Sequence, residues 1–163
     1  QKVMADVSGS DAKGAVYSNG YTYSGHPVSC AAAMANMDVI EKEGILEHVR
    51  DITPYFQDKL AELNALALVG DVRGAGLVGC VDCVADRKAK NPLKLDSEVG
   101  GRIDAHCQEK GLIVRPVYNM CVMSPPLVIR ERQIDTMVGI LRAGIEDTMV
   151  DLEREGLWHA PQD

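Results

Sequence analysis

Gly20-Tyr21-Thr22-Tyr23-Ser24-Gly25-His26-Pro27 sets four consecutive hydroxyl side chains between two glycines, directly ahead of an alanine-rich helical pattern. Pro27 suits a first helical turn, because its fixed φ is already helical and its missing N–H would have had no partner there. A helix start leaves backbone N–H groups unpaired and carries partial positive charge, so an anion placed at it meets donors and a favourable dipole together. On chemistry alone, Gly and Ser before a helix are more often turn and cap residues than ligands. The stretch therefore places a helix start and marks a candidate anion-binding loop.

Working outward, residues 1–19 are polar and glycine-containing with no sustained period and read as a loop or disordered lead-in. From Pro27 to about Glu43, Val28, Ala31, Ala32, Ala35 and Val39 recur at helical spacing, and Gly44 offers a stop. A second helix is predicted over about 45–64 on a face of Ile45, Val49, Ile52, Phe56, Leu60 and Leu63, with Pro54 expected to kink it or start a new turn. His48 on this helix reads as a solvated side chain. Residues 69–73 and 77–84 read as strands joined by a Gly74-Ala75-Gly76 turn, and these glycines do not match a dinucleotide-binding fingerprint. Residues 86–94 form a basic loop. Val99, Ile103 and Cys107 predict a helix over 97–110 that leaves His106 on its polar side and ends at Gly111. Residues 112–114 and 120–123 are predicted strands around a Tyr118-Asn119 turn. After Ser124-Pro125-Pro126, a long helix over about 131–155 carries Ile134, Val138, Leu141, Ile145, Met149 and Leu152 on one face. Four helices on a small, mainly antiparallel sheet make an α+β fold.

At 163 residues the chain is long enough to bury a core, and 46% hydrophobic with 25% charged residues is ordinary for a globular protein. The net charge of −7, with scattered basic residues, argues against a nucleic-acid partner. No apolar stretch approaches the ~20 residues that span a bilayer, and the start lacks signal-peptide order, so a cytoplasmic setting with no membrane partner is expected. Five cysteines without a regular framework argue against a disulfide-stapled domain. Cys80 and Cys83 fall in a strand that points them to opposite faces, and no second pair completes a zinc site. They read as packing residues, as Met34 and Met37 on the first helix read as core filler. The first residue is Gln1, which points to processing or to a beginning inside a longer protein.

The opening run, followed by Cys30-Ala31-Ala32-Ala33, resembles the segment after the cofactor lysine of class III, or omega, aminotransferases. Asp71-Val72-Arg73-Gly74-Ala75-Gly76-Leu77 resembles a strand motif of the same family. Leu112-Ile113-Val114-Arg115-Pro116 with Ser124-Pro125-Pro126-Leu127-Val128-Ile129 resembles its C-terminal signature. Three motifs in the right order are far more specific than one, and the resemblance runs from about Gly20 to Gly156.

The resemblance implies a fold type I pyridoxal 5′-phosphate enzyme with active sites at a homodimer interface. Residues 1–26 would belong to the large cofactor domain, and 27–163 would form the small C-terminal domain. It implies that Thr22, helped by Gly20 and Tyr21, reaches the cofactor phosphate of the other subunit, that Tyr21 lines the substrate pocket, and that Arg115 binds the substrate carboxylate. A bare arginine at a strand end is more often a surface ion pair, but a guanidinium suits two-pronged carboxylate binding. Arg73 is expected to be structural and paired with an acid. The implied reaction moves an amino group from an amine or omega-amino acid to a keto acid such as pyruvate. The rival readings are a non-enzymatic assembly or interaction domain, or an aminomutase or decarboxylase of the same fold type.

Transamination also needs a lysine that bonds covalently to the cofactor. Lys13 is too close to Thr22 to be that lysine, and the family's upstream aspartate and glycine-rich phosphate turn have no counterpart here. No catalytic residue is therefore expected in this chain, and it is expected to be inert alone. Asn19 stands where the family often has histidine, and Arg130 stands where Ser or Thr commonly caps the last helix.

Overall fold

The computed structural model describes residues 20–84 and 96–160. Lys13, Asn19 and the basic loop 86–94 lie outside the described residues. Two compact units divide the chain, 1–39 and 40–163. The first holds the opening loop and most of helix α1 (Pro27–Lys42), which begins and ends close to expectation. Its apolar spacing does not mark a buried face, since none of its side chains is buried.

The second unit runs α2 (Ile45–Ala61), a 3-10 turn (Glu62–Ala65), β1 (Val69–Ala75), β2 (Val78–Cys83), α3 (Asp96–Glu109), β3 (Arg115–Val117), β4 (Met120–Met123) and α4 (Glu131–Arg154). The strands form one antiparallel sheet in the order β1-β2-β4-β3. Helices α2 and α3 pack on the sheet, α2 beside β1 and β2 and α3 beside β3 and β4, and α4 packs against both helices. The expected α+β fold of helices on a small antiparallel sheet is what forms.

The predicted faces of α2 and α4 become the core: Phe56, Leu60, Leu63, Ile134, Leu141, Ile145 and Leu152 are fully buried. Burying such a side chain stabilises the fold by roughly 1.5–3 kcal/mol. Trp158 was not foreseen as core, yet it is 4% exposed. Its chain turns back because Gly156 takes φ 67° and Leu157 N–H bonds the Leu152 carbonyl at 2.9 Å. Gly111, at φ 87°, ends α3 in the same way, with Leu112 N–H on the Cys107 carbonyl at 2.9 Å. Gly144 lets α4 approach α3, because a Cβ there would lie 2.6 Å from Cys107 Sγ.

Several local expectations change. Pro54 does not interrupt α2, which runs unbroken to Ala61. Pro54 and Arg50 are both exposed, so the carbonyl that loses its helical partner faces water. Strand β1 continues through Gly74 and Ala75, moving the turn to Gly76-Leu77 with Gly76 at φ 58°. Residues 112–114 are not a strand. Val114 N–H bonds the Asp104 side chain instead of a ladder partner, and β3 starts at Arg115. The Tyr118-Asn119 turn forms as predicted, with Tyr118 at φ 57°.

His48 is not a solvated side chain, whereas His106 does lie on the polar side of α3; both are tied to other elements. His48 Nε2 donates to the Ile129 carbonyl at 2.8 Å, tying α2 to the segment before α4. His106 Nε2 meets Asp151 at 2.9 Å. It is the middle rung of a ladder between α3 and α4, with Arg102–Glu155 at 2.9 Å and Lys110–Asp147 at 2.6 Å on either side. The rungs step by four residues along each helix in opposite directions, as one face of two antiparallel helices requires. At the start of α4, Arg130 occupies the N-cap, and its N–H is bonded by Gln133 Oε1 at 3.0 Å. Gln133 thus supplies half of a capping box, while a guanidinium has no acceptor for the other half.

Cys80 and Cys83 do point to opposite faces, Cys80 half-buried outside and Cys83 buried inside. Burial pushes the Cys107 thiol up to about 11 and Cys121 higher still. Among the described residues no group of His, Cys, Asp and Glu could hold a metal ion, and no helix is long and apolar enough to cross a membrane.

Candidate active site

In the first unit, Ser24 N–H bonds the Tyr21 carbonyl at 3.0 Å and Gly25 takes φ 78°. The chain thereby turns into α1, where Cys30 N–H closes on the His26 carbonyl at 3.0 Å. Gly20, Thr22, Tyr23 and Ser24 line an open hollow of about 560 Å³. Tyr21 is 60% exposed, and a Cβ on Gly20 would meet nothing within 4 Å. The loop therefore offers neutral hydroxyl donors with open approach and, among the described residues, no cationic lining group. That suits one side of a phosphate group, whose remaining charge must be met by other residues.

In the second unit, antiparallel register puts Arg73, Cys80, Val122 and Arg115 in one cross-strand row. Residues paired in this way share a face. The row lies on the side of the sheet away from Val81, Cys83 and Cys121, which are buried against the helices. Three strand spacings of ~4.8 Å place the backbones of Arg73 and Arg115 ~14 Å apart at opposite edges.

The two arginines differ in what they touch. Arg73 Nη1 bonds Asp71 at 2.8 Å and Asp82 at 3.1 Å, and Nη2 lies 3.4 Å from Met120 Sδ. Its hydrogen bonds to the two carboxylates, Asp71 first, raise its pKa further. The expected acid pairing of Arg73 is present. The Arg115 side chain is exposed and, among the described residues, makes no hydrogen bond or ion pair. It lines a cavity of about 420 Å³ whose other walls include Leu112, Val114, Val122, Met123 and Ile129. A free guanidinium beside an apolar hollow is equipped to take a carboxylate carried on an apolar body.

Sequence reasoning missed the residues that hold the β3–β4 hairpin. Asn119 Nδ2 donates to Asp82 Oδ1 at 2.6 Å and to the Cys83 carbonyl at 2.7 Å. Gly100 N–H bonds the Tyr118 carbonyl at 2.9 Å. No periodicity signals such bonds, which exist only once β2 and α3 lie against the hairpin.

The class III aminotransferase family model matches residues 1–145. The chain is 39% identical over 158 residues to an uncharacterized aminotransferase, y4uB, of Sinorhizobium fredii, covering 95% of this chain and 33% of that protein. It is 37% identical to the putrescine–pyruvate aminotransferase of Pseudomonas aeruginosa, covering 83% of this chain and 30% of that one. Among solved structures, a thermostable omega transaminase from Pseudomonas jessenii superposes with a TM-score of 0.77 at 31% identity, over 83% of this chain and 30% of the other. A transaminase with L-alanine superposes with a TM-score of 0.76 at 40% identity, over 80% and 30%. The chain spans about a third of the length of these relatives. Class III aminotransferases are pyridoxal 5′-phosphate enzymes. With its motifs, fold and relatives in agreement, this chain belongs to the class III aminotransferase family.

Proposed function

We propose that the full-length protein is an omega-type aminotransferase that moves an amino group from an amine or omega-amino acid to a keto acid such as pyruvate. The observation that carries this reading is the free, exposed guanidinium of Arg115 beside an apolar cavity, on the same sheet face as an Arg73 already committed to two acids. The likeness to a putrescine–pyruvate aminotransferase supports an amine donor and pyruvate as acceptor.

Pyridoxal 5′-phosphate, when bound, supplies the ring that withdraws electrons from the carbon bearing the amino group. Thr22 would hold its phosphate through the side-chain hydroxyl, with Gly20 and Tyr21 shaping the loop, and would do so toward the partner subunit of a homodimer. Arg115 receives the substrate carboxylate through two parallel N–H donors and swings aside for amines that lack one. The apolar wall beside it limits water around that pair and strengthens it. In this division of labour residues 1–26 belong to the large domain and 27–163 to the small one, in a cytoplasmic enzyme.

The test is the half-reaction of the full-length protein. Adding an amine donor without acceptor should move the absorbance of the bound cofactor from the visible edge to the near ultraviolet, and an unchanged spectrum contradicts the reading. Thr22→Ala should weaken cofactor retention through dialysis. The present chain alone should leave no stoichiometric adduct at Lys13 after borohydride treatment with pyridoxal phosphate.

A further inference from the structure

We propose that Asp104 is a positioning residue for Arg115, holding the base of its strand in place from helix α3. The inference rests on the reading that Arg115 receives the substrate carboxylate.

Strand β3 is weakly held by its own sheet. It is three residues long, lies at the edge, and contains Pro116, which has no N–H to give. Among the described residues its only sheet neighbour is β4, in the register Arg115↔Val122, Pro116↔Cys121 and Val117↔Met120. Helix α3 supplies the missing support at both ends. Just before Arg115, Val114 N–H bonds Asp104 Oδ1 at 3.1 Å. Just after the strand, the Tyr118 carbonyl accepts Gly100 N–H at 2.9 Å. Gly100 and Asp104 are one turn apart on the same face of α3.

Each of these contacts is itself fixed. Asp104 Oδ2 accepts Gln108 Nε2 at 2.6 Å from the next turn, which leaves Oδ1 aimed at Val114. Gly100 must be glycine for α3 to approach this closely, because a Cβ would lie 2.5 Å from the Tyr118 carbonyl oxygen. The Arg115 side chain has no bond of its own to hold it, so its starting point is set by the backbone, and Asp104 bonds the residue next to it. Asp104 touches no substrate in this scheme. It acts through Val114.

The experiment compares two donors of matched length in the full-length enzyme with pyruvate as acceptor: 5-aminopentanoate, which carries a carboxylate, and pentylamine, which does not. Losing one backbone hydrogen bond should shift a binding step about five- to tenfold. Asp104→Ala should therefore raise KM for 5-aminopentanoate by about that factor and leave both constants for pentylamine within about twofold. Asp104→Asn keeps an oxygen for Val114 N–H and should restore the wild-type KM. Hydrogen exchange at the Val114 amide should quicken in Asp104→Ala and return to normal in Asp104→Asn.

Equal losses with both donors, or faster exchange at Val114 with no change in the 5-aminopentanoate KM, would overturn the proposal. Should Asp104→Ala fail to fold, Gln108→Ala alters only an exposed residue and should raise the same KM about twofold; no rise overturns the proposal equally. Arg115→Ala runs in parallel. If it raises the 5-aminopentanoate KM and Asp104→Ala does not, only the positioning role fails. If Arg115→Ala leaves it unchanged, the reading of Arg115 fails and the positioning role falls with it.

Discussion

Arg73 reaches across from β1 to Asp82 on β2 at 3.1 Å, and this bond, with that to Asp71, removes Arg73 from competition for a carboxylate ligand. Half of the Arg73 side chain remains in water, so the pair is worth at most about 1 kcal/mol. Arg73→Ala should lower thermal stability slightly and leave donor preference unchanged. Loss of carboxylate-donor preference on that substitution would exchange the roles assigned to Arg73 and Arg115.

Gly144 and Gly139 sit on the same helix and predict opposite outcomes. A Cβ at 144 would lie 2.6 Å from Cys107 Sγ and 3.2 Å from the Ile103 carbonyl oxygen. Gly144→Ala should therefore push α4 off α3 and cost about 1–3 kcal/mol. Gly139 is exposed with nothing within 4 Å, so Gly139→Ala should gain roughly 0.5–1 kcal/mol from helix propensity. Denaturant titration of the two variants compares them directly.

The outer rungs of the α3–α4 ladder set an acid limit. The hydrogen bond from Lys110 holds Asp147 below its ordinary 3.8, and that from Arg102 holds Glu155 below 4.5. A depressed carboxylate contributes stability in full above its unfolded value and loses it as pH falls through the folded value. The stability gap between wild type and Asp147→Asn should thus be complete at neutral pH and close progressively as pH falls below the ordinary carboxylate range. A gap that does not change across that range would mean the rung contributes nothing through its charge. Both carboxylates are substantially exposed, so added salt should narrow the gap as well.

Thiol chemistry should sort the cysteines by burial. Cys30 is exposed, Cys80 is half-buried, and Cys83, Cys107 and Cys121 are buried, with Cys107 pushed up to about 11. A thiol reagent at mild alkaline pH should modify Cys30 rapidly and Cys80 slowly in this chain, and reach the other three only with denaturant. Rapid reaction of all five would contradict the buried placement of β2, β4 and α3.

Helical periodicity located α2, α3 and α4, because a face such as Ile52, Phe56 and Leu60 must repeat every three or four residues wherever the helix packs. The strand reading overreached at residues 112–114, where the apolar run Leu112-Ile113-Val114 suggested a strand. There the Val114 N–H is taken by Asp104, a partner ten residues away that no local pattern reveals. His48 was misplaced for the same reason, since its partner Ile129 lies far along the chain, and the Asp151 partner of His106 was equally invisible. The candidate site divided similarly. Arg115 and Thr22 came from motif wording, while Gly100, Asp104 and Asn119, which hold the hairpin carrying Arg115, emerge only from tertiary geometry.

The sharpest test of the proposed function is the ratio of kcat/KM for 5-aminopentanoate to that for pentylamine in the full-length protein and its Arg115→Ala variant. Losing a two-pronged, charge-assisted bond should cut the ratio by about ten- to a hundredfold, with the pentylamine value nearly unchanged. An unaltered ratio would contradict the assignment of Arg115 to the substrate carboxylate.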